Sequence, residues 1–175
     1  MIRSGKKLTD LSNVLSSGRH HEIEKLVVSL RGAEPFEGAL KLLALFYDKT
    51  EDEGLRLIIS GFFNDIKEHS ARSEVIEALT EVKAQSTKAM LASSCWQSGL
   101  DYSEHAVTLA KIFVEGDYIT SLECFTVLDT CSAMISESDR IHIVKLLQKG
   151  TGLHDEAKKQ MTGELISVLK EGGTH

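Results

Sequence analysis

The sequence predicts an all-α protein. The chain of 175 residues contains one proline, where an average usage of about 5% would give roughly nine, and proline is the residue that most strongly interrupts helices. Aromatic residues, which favour strands, make up only 6% of the chain. Apolar residues recur with helical spacing from one end to the other, and no stretch alternates with period two for long enough to predict a strand.

Ten helices are predicted, and the first four each carry an apolar stripe. The ten cover residues 5–16, 20–31, 36–47, 51–67, 73–83, 86–98, 103–115, 118–133, 137–149 and 155–170. The first four stripes are Leu8, Leu11, Val14 and Leu15; Ile23, Leu26, Val27 and Leu30; Phe36, Ala39, Leu40, Leu43 and Phe46; and Leu55, Ile58, Ile59, Phe62, Phe63 and Ile66. The fourth stripe is broad, and we expect the core to be most sensitive to truncation there.

The remaining six helices follow the same pattern. Their stripes are Val75, Ile76, Leu79 and Val82; Leu91, Ala92, Cys95 and Trp96; Ala106, Leu109, Ala110 and Phe113; Tyr118, Leu122, Phe125 and Leu128; Ile143, Val144 and Leu147; and Met161, Leu165, Val168 and Leu169. Glycine and capping residues separate the stripes. Gly116 stands where a helix C′ glycine is expected, and Asp117 and Asp155 follow breaks as N-caps.

The composition also limits the kinds of partner. The chain has a formal net charge of −6, and no apolar run has the roughly 18 residues that a membrane-spanning helix needs. Residues 86–139 contain two basic and eight acidic side chains. Because lysine and arginine supply most of the affinity for phosphate backbones, we expect neither nucleic acid nor a membrane as a partner.

Alternate predicted helices repeat at a regular interval. They begin near residues 20, 51, 86, 117 and 155, so neighbouring starts are 31 to 38 residues apart. At an offset of 29, Cys95-Trp96 aligns with Cys124-Phe125. Helix pairs that repeat at such intervals are typical of α-solenoids.

This arrangement resembles HEAT-like repeats of the Armadillo type across residues 20–150, with the entire chain as the wider alternative. Residues 88–96 look like a first repeat helix and residues 103–115 like its partner. The resemblance implies a right-handed superhelix of about five antiparallel helix pairs, and we expect residues 1–175 to form one domain with flexible ends at 1–4 and 171–175. HEAT units often carry a proline in the first helix and an aspartate-arginine pair near the turn between helices. This chain departs from that pattern, because its only proline is Pro35 and Asp101 is followed by tyrosine instead of arginine.

The resemblance implies a non-enzymatic scaffold that binds another protein, and a basic or amphipathic segment of that partner is the candidate ligand. The alternatives are a HEAT-like nucleic-acid-binding protein of the DNA glycosylase type, which the negative charge disfavours, and a purely structural subdomain of a larger assembly. The character of the concave surface would separate these functions. A basic surface favours nucleic acid, an acidic surface favours a basic protein segment, and an apolar surface favours a helix bound in a groove.

Residue patterns for catalysis, metals or cofactors are not evident. His20 and His21 are adjacent, so on a helix their side chains point in different directions and cannot chelate together. Cys95 and His105 form a conceivable catalytic pair, but Cys95 belongs to an apolar stripe and is expected to be packed and inert. The three cysteines, Cys95, Cys124 and Cys131, are expected to be buried thiols of a cytoplasmic protein, since the N-terminus lacks the apolar run of a signal peptide.

Six residues are the candidate partner-binding set: Trp96, Asp101, Tyr102, Glu104, Tyr118 and Glu123. Acidic side chains steer a basic partner, and aromatic side chains often anchor interfaces. For Trp96, core packing is the favoured role and an exposed anchor the alternative. A solvated acidic surface that only maintains solubility is an equally good explanation of the charge.

Overall fold

The described part of the chain is helical throughout. The computed structural model describes residues 3–33, 35–150 and 156–172. Within them there is no β-strand, and the α-helices are α1 (Gly5–Ser17), α2 (His20–Arg31), α3 (Ala39–Tyr47), α4 (Glu53–Asn64), α5 (Arg72–Glu81), α6 (Gln85–Gln97), α7 (Ala106–Glu115), α8 (Tyr118–Thr130), α9 (Glu137–Gly150) and α10 (Glu156–Glu171). The prediction of an all-α chain is confirmed.

The chain divides into two compact units, Met1–Leu100 and Asp101–His175. In the first unit, α2 packs against α4 and α4 against α6, while α1 packs against α3 and α3 against α5. In the second unit, α7 packs against α8 and α9, and α10 packs against α8 and α9. Contacts between alternate helices are compatible with a helical-repeat fold.

Each unit has its own apolar core between its helices. In the first unit the fully buried side chains include Ile23, Leu43, Ile59, Leu79 and Leu91; in the second they include Leu109, Leu128, Ile143, Leu147 and Leu165. All ten come from the predicted stripes, so the helical period located most of the core correctly. Within the described residues, no helix is both long and apolar enough to cross a bilayer.

Polar contacts tie neighbouring helix pairs of the first unit together at a regular sequence separation. The contacts join His20 to Asp52, Arg31 to Asp65, Glu74 to the Lys41 N–H, Asp48 to the N–H groups of Lys83 and Ala84, Asn64 to Gln97, and Lys67 to the Ser98 carbonyl. Their separations are 31 to 36 residues. This spacing overlaps the interval between the predicted helix starts.

Helix α3 begins three residues later than the sequence predicts. Gly38 precedes it with a φ of +91°, a conformation that glycine adopts readily and other residues rarely. Because glycine has no capping side chain, Glu74 of α5 accepts a hydrogen bond from the Lys41 N–H at 3.0 Å. A distant carboxylate thus caps this helix, which local sequence reasoning does not reveal.

The predictions for the chain ends fall partly outside the described residues. Ser4 caps α1 by accepting a hydrogen bond from the Lys7 N–H, and Glu171 is the last residue of α10. Residues 1–2, 151–155 and 173–175 lie outside the described residues, as does the proposed N-cap at Asp155.

The ion pair between α2 and the start of α4 predicts a pH-dependent stability. His20 Nδ1 lies 2.6 Å from Asp52 Oδ2. This hydrogen bond raises the pKa of His20 above its ordinary value of 6.5 and, together with the bond from the Leu55 N–H, lowers the pKa of Asp52 below 3.8. The His20 contribution is therefore fully present below pH 6.5 and is lost as the pH rises through the raised pKa. The Asp52 contribution is present above pH 3.8 and is lost as the pH falls through the lowered pKa.

We expect His20→Gln to destabilise the protein most between these two values and to have a diminishing effect in alkaline buffer. Urea denaturation at several pH values measures this. His21→Gln is the matched control, because His21 lies 3.7 Å from Glu24 and is more exposed. An equal loss of stability at pH 5 and pH 9 would contradict a contribution from the charged histidine.

Candidate interaction surface

Large apolar side chains are exposed along one side of α8. Tyr118, Ile119 and Leu122 are 44%, 52% and 39% exposed, and Phe125 is half-buried. Spaced at i, i+1, i+4 and i+7, the four side chains lie on one side of the helix. We call these four residues the α8 outer face.

The opposite side of α8 consists mainly of small residues, and it is this side that enters the core. The buried residues are Thr120, Ser121, Cys124, Val127 and Leu128. The Ser121 hydroxyl donates a hydrogen bond of 2.7 Å to the Phe113 carbonyl in α7, which satisfies this buried polar group. The prediction that Tyr118 and Leu122 belong to the core stripe is therefore wrong, because the small side chains face the neighbouring helices instead.

The start of α8 is fixed by contacts at the turn that precedes it. Asp117 caps the helix as predicted and accepts a 2.8 Å hydrogen bond from the Thr120 N–H. Gly116 has an extended backbone, not the left-handed one common at C′, and a Cβ there would lie 2.8 Å from a Thr120 methyl group. The buried Lys158 of α10 donates to the carbonyls of Val114 and Gly116 at 3.0 and 2.6 Å.

Acidic residues surround the α8 outer face in the sequence. Glu115, Asp117 and Asp129 are exposed, and Glu123 is half-buried. Between Lys111 and Arg140 the sequence contains no lysine, arginine or histidine. On the helix, Asp129 follows Phe125 by four positions, and Glu123 follows Ile119 by four positions, so each acid adjoins an apolar member of the face.

Tyr102, one of the predicted partner-binding residues, is not on the surface. Its side chain is 1% exposed and its ring centroid lies 6.3 Å from that of His105. A tyrosine buried to this extent cannot anchor a partner, so we remove it from the candidate set. Tyr102 lies between the predicted helices 86–98 and 103–115, and this loop position suggested exposure. In the structure it is a buried residue of the second unit, directly before a 3₁₀ turn at Ser103–His105.

Asp101 and Glu104 lie in the segment before α7, away from the start of α8. The Asp101 carboxylate accepts hydrogen bonds from the Ser103 N–H at 2.9 Å and from its hydroxyl at 3.0 Å, so it stabilises its own loop. The negative charge of Asp101 also helps to raise the pKa of the Cys131 thiol, and Cys131 is the C-cap of α8. Tyr118 lies 12 residues before Thr130, about 18 Å along the helix. Asp101 and Tyr118 are therefore near opposite ends of α8.

Glu104 is exposed, and Trp96 of the first unit is 39% exposed. The partial exposure of Trp96 differs from the favoured prediction of core packing, and its role as a partner anchor stays a prediction. Of the predicted residues, the structure places Tyr118 and Glu123 on α8. Ile119 and Leu122 were missed as surface residues. The spacing of Thr120, Ser121, Cys124, Val127 and Leu128 at i, i+1, i+4, i+7 and i+8 was the signal that could have identified them.

The cysteines and histidines do not form a reactive cluster among the residues described. Cys95, Cys124 and Cys131 are buried thiols, and Cys95 donates to the Leu91 carbonyl at 3.3 Å. Burial, with a smaller effect of Asp101, raises the pKa of Cys131 to about 12. His20 and His21 engage different acids, and within the described ranges no three side chains of the metal-binding types converge.

Comparison of the chain with protein-family models, with curated proteins and with solved structures found no match. The HEAT-like resemblance therefore stays a prediction from repeat spacing. Functional conclusions depend on the chemistry of the surfaces described above.

Proposed function

We propose that this protein is a non-enzymatic helical-repeat scaffold of the cytoplasm, with a HEAT-like superhelical arrangement, and that the α8 outer face docks a basic amphipathic helix of a partner protein. The single observation that carries the proposal is the exposure of Tyr118, Ile119 and Leu122 in a segment without basic residues. Packing of alternate helices within each unit supports the repeat arrangement.

The apolar residues define the shape of the partner. Tyr118, Leu122 and Phe125 follow one another at i, i+4 and i+7, the spacing that a second helix meets when it packs lengthwise. Tyr118 offers a large side chain with a polar hydroxyl, a combination enriched at interface centres. An amphipathic helix would cover this face with its own apolar side.

The surrounding charge defines the polar side of the partner. Glu115, Glu123 and Asp129 would attract lysine or arginine and repel acidic segments, which accelerates association and gives selectivity. A membrane surface fits less well, because helices that bind anionic lipid headgroups carry lysine and arginine on their polar side. Nucleic acid is disfavoured for the same electrostatic reason.

A synthetic peptide tests the surface directly. We expect a helical peptide of about 16 residues built from leucine and lysine, with apolar residues on one side, to bind the full-length protein, and its glutamate counterpart not to bind. Leu122→Ala should weaken binding by about tenfold, as expected for removal of a central interface residue. Isothermal titration calorimetry measures both affinities.

Leu57→Ala is the matched control, because Leu57 is 74% exposed and lies in the first unit. It should leave the affinity for the lysine peptide unchanged.

A second variant replaces Glu115, Glu123 and Asp129 by their amides, which should slow association of the lysine peptide and flatten its salt dependence. Asp101 is left intact because it stabilises its own loop. Equal binding of both peptides, or equal effects of the two leucine substitutions, would refute the proposed docking surface.

A further inference from the structure

A pocket of about 300 Å³ lies in the first unit, where the C-terminal ends of α2 and α4 meet the segment that leads into α3. Leu30 and Arg31 of α2 line it on one side, and residues 65–68, which follow α4, line it on another. This volume is at the lower end of the range for small-molecule sites. The docking surface proposed above does not involve it.

The interior of the pocket is apolar. Phe36, Leu40, Phe62, Ile66 and Ala71 form its buried part, and each is at most 9% exposed. The two phenylalanines provide flat aromatic surface, and none of the polar side chains among the described lining residues is buried. A ligand that enters would gain free energy mainly by removing apolar surface from water.

Among the residues that the structure describes, two cations and two anions line the mouth of the pocket. Arg31 is paired with Asp65 at 2.5 Å, Lys67 Nζ donates to the Ser98 carbonyl at 2.6 Å, and Glu68 completes the set. Since these four described charges sum to zero, they favour neither sign. An ionic ligand of either sign would meet like as well as opposite charges here, whereas a neutral hydrogen-bonding group would find both donors and acceptors.

From this combination we infer that the pocket binds a small uncharged molecule with an apolar, aromatic body and one hydrogen-bonding group. The aromatic body contacts Phe36 and Phe62, and the polar group remains at the mouth near Arg31 and Asp65. This is a second site, separate from protein docking.

Three compounds that share one ring system test the inference. Indole is neutral, indole-3-acetate is an anion and tryptamine is a cation. We expect indole to produce saturable shifts in the ¹H–¹⁵N spectrum of the full-length protein that are centred on residues 36–40 and 62–71. The two ionic analogues should bind several-fold more weakly, because each meets a like charge at the mouth.

Ala33 also lines the pocket, so Ala33→Phe should occupy part of it and abolish saturable binding. Ala133→Phe is the control. Both alanines are exposed, so the fold should be retained, which the same spectra report. Tighter binding of indole-3-acetate or tryptamine, shifts located on α8, or unchanged binding by Ala33→Phe would each overturn the inference. So would the absence of saturable shifts with indole.

Discussion

Phe63→Ala should lower the free energy of unfolding by about 3 to 5 kcal/mol, the usual cost of removing a phenylalanine from a packed core. Phe63 is 1% exposed and its ring packs edge-on against Phe62, with centroids 5.9 Å apart and an interplanar angle of 78°. The substitution removes this contact and leaves a cavity beside α4. Chemical denaturation followed by circular dichroism and by the fluorescence of Trp96, which belongs to the same unit, measures the loss.

Leu57→Ala on the same helix provides the control. Leu57 is 74% exposed, so its truncation should change stability by less than about 0.5 kcal/mol. Phe62→Ala should fall between the two, since Phe62 borders the open pocket and already lacks some packing partners. Similar values for Phe63→Ala and Leu57→Ala would mean that α4 is oriented differently.

Lys158→Met should lower the free energy of unfolding by about 2 to 4 kcal/mol, although methionine preserves much of the apolar stem of lysine. Lys158 is 5% exposed, and its ammonium group donates to the Val114 and Gly116 carbonyls at the end of α7. Methionine supplies no donor, so these carbonyls lose a charge-assisted hydrogen bond in a site with little access to water. Urea denaturation followed by far-ultraviolet circular dichroism measures the effect.

Lys159→Met is the neighbouring control, since Lys159 forms an exposed pair with Glu156 three residues away. Such pairs contribute little to stability. Hydrogen exchange adds a local measurement: Lys158→Met should reduce the protection of amides around residues 112–121 more than elsewhere. Equal stability of the two variants would show that the turn does not depend on Lys158.

Much of the fold was predictable because helical periodicity is a local property. The sequence predicted α2 with its observed bounds, and the other helices to within a few residues. The three-residue error at the start of α3 has a non-local cause, since the cap is Glu74, a residue 33 positions from the amide that it binds. Local patterns cannot identify such a partner.

The candidate surface was less predictable because hydrophobicity does not decide which side of a helix is buried. In α8 the larger side chains, Tyr118 and Leu122, face outward, while Thr120 and Ser121 face inward. Small residues are buried there because they let neighbouring helices approach closely and because Ser121 bonds to the Phe113 carbonyl. Tyr102 shows the opposite error, as its position in a loop suggested exposure.

The regular spacing of the polar contacts in the first unit also bears on how this part of the chain folds. Contacts separated by 31 to 36 residues close loops of similar, moderate length. Because the entropy cost of closure grows only with the logarithm of loop length, no single step of assembly is much harder than the next. In the helical-repeat arrangement proposed above, folding can then start at any helix pair and extend to its neighbours. Strengthening one such contact should therefore slow unfolding chiefly in the pairs that it joins, and terminal pairs should open before central ones.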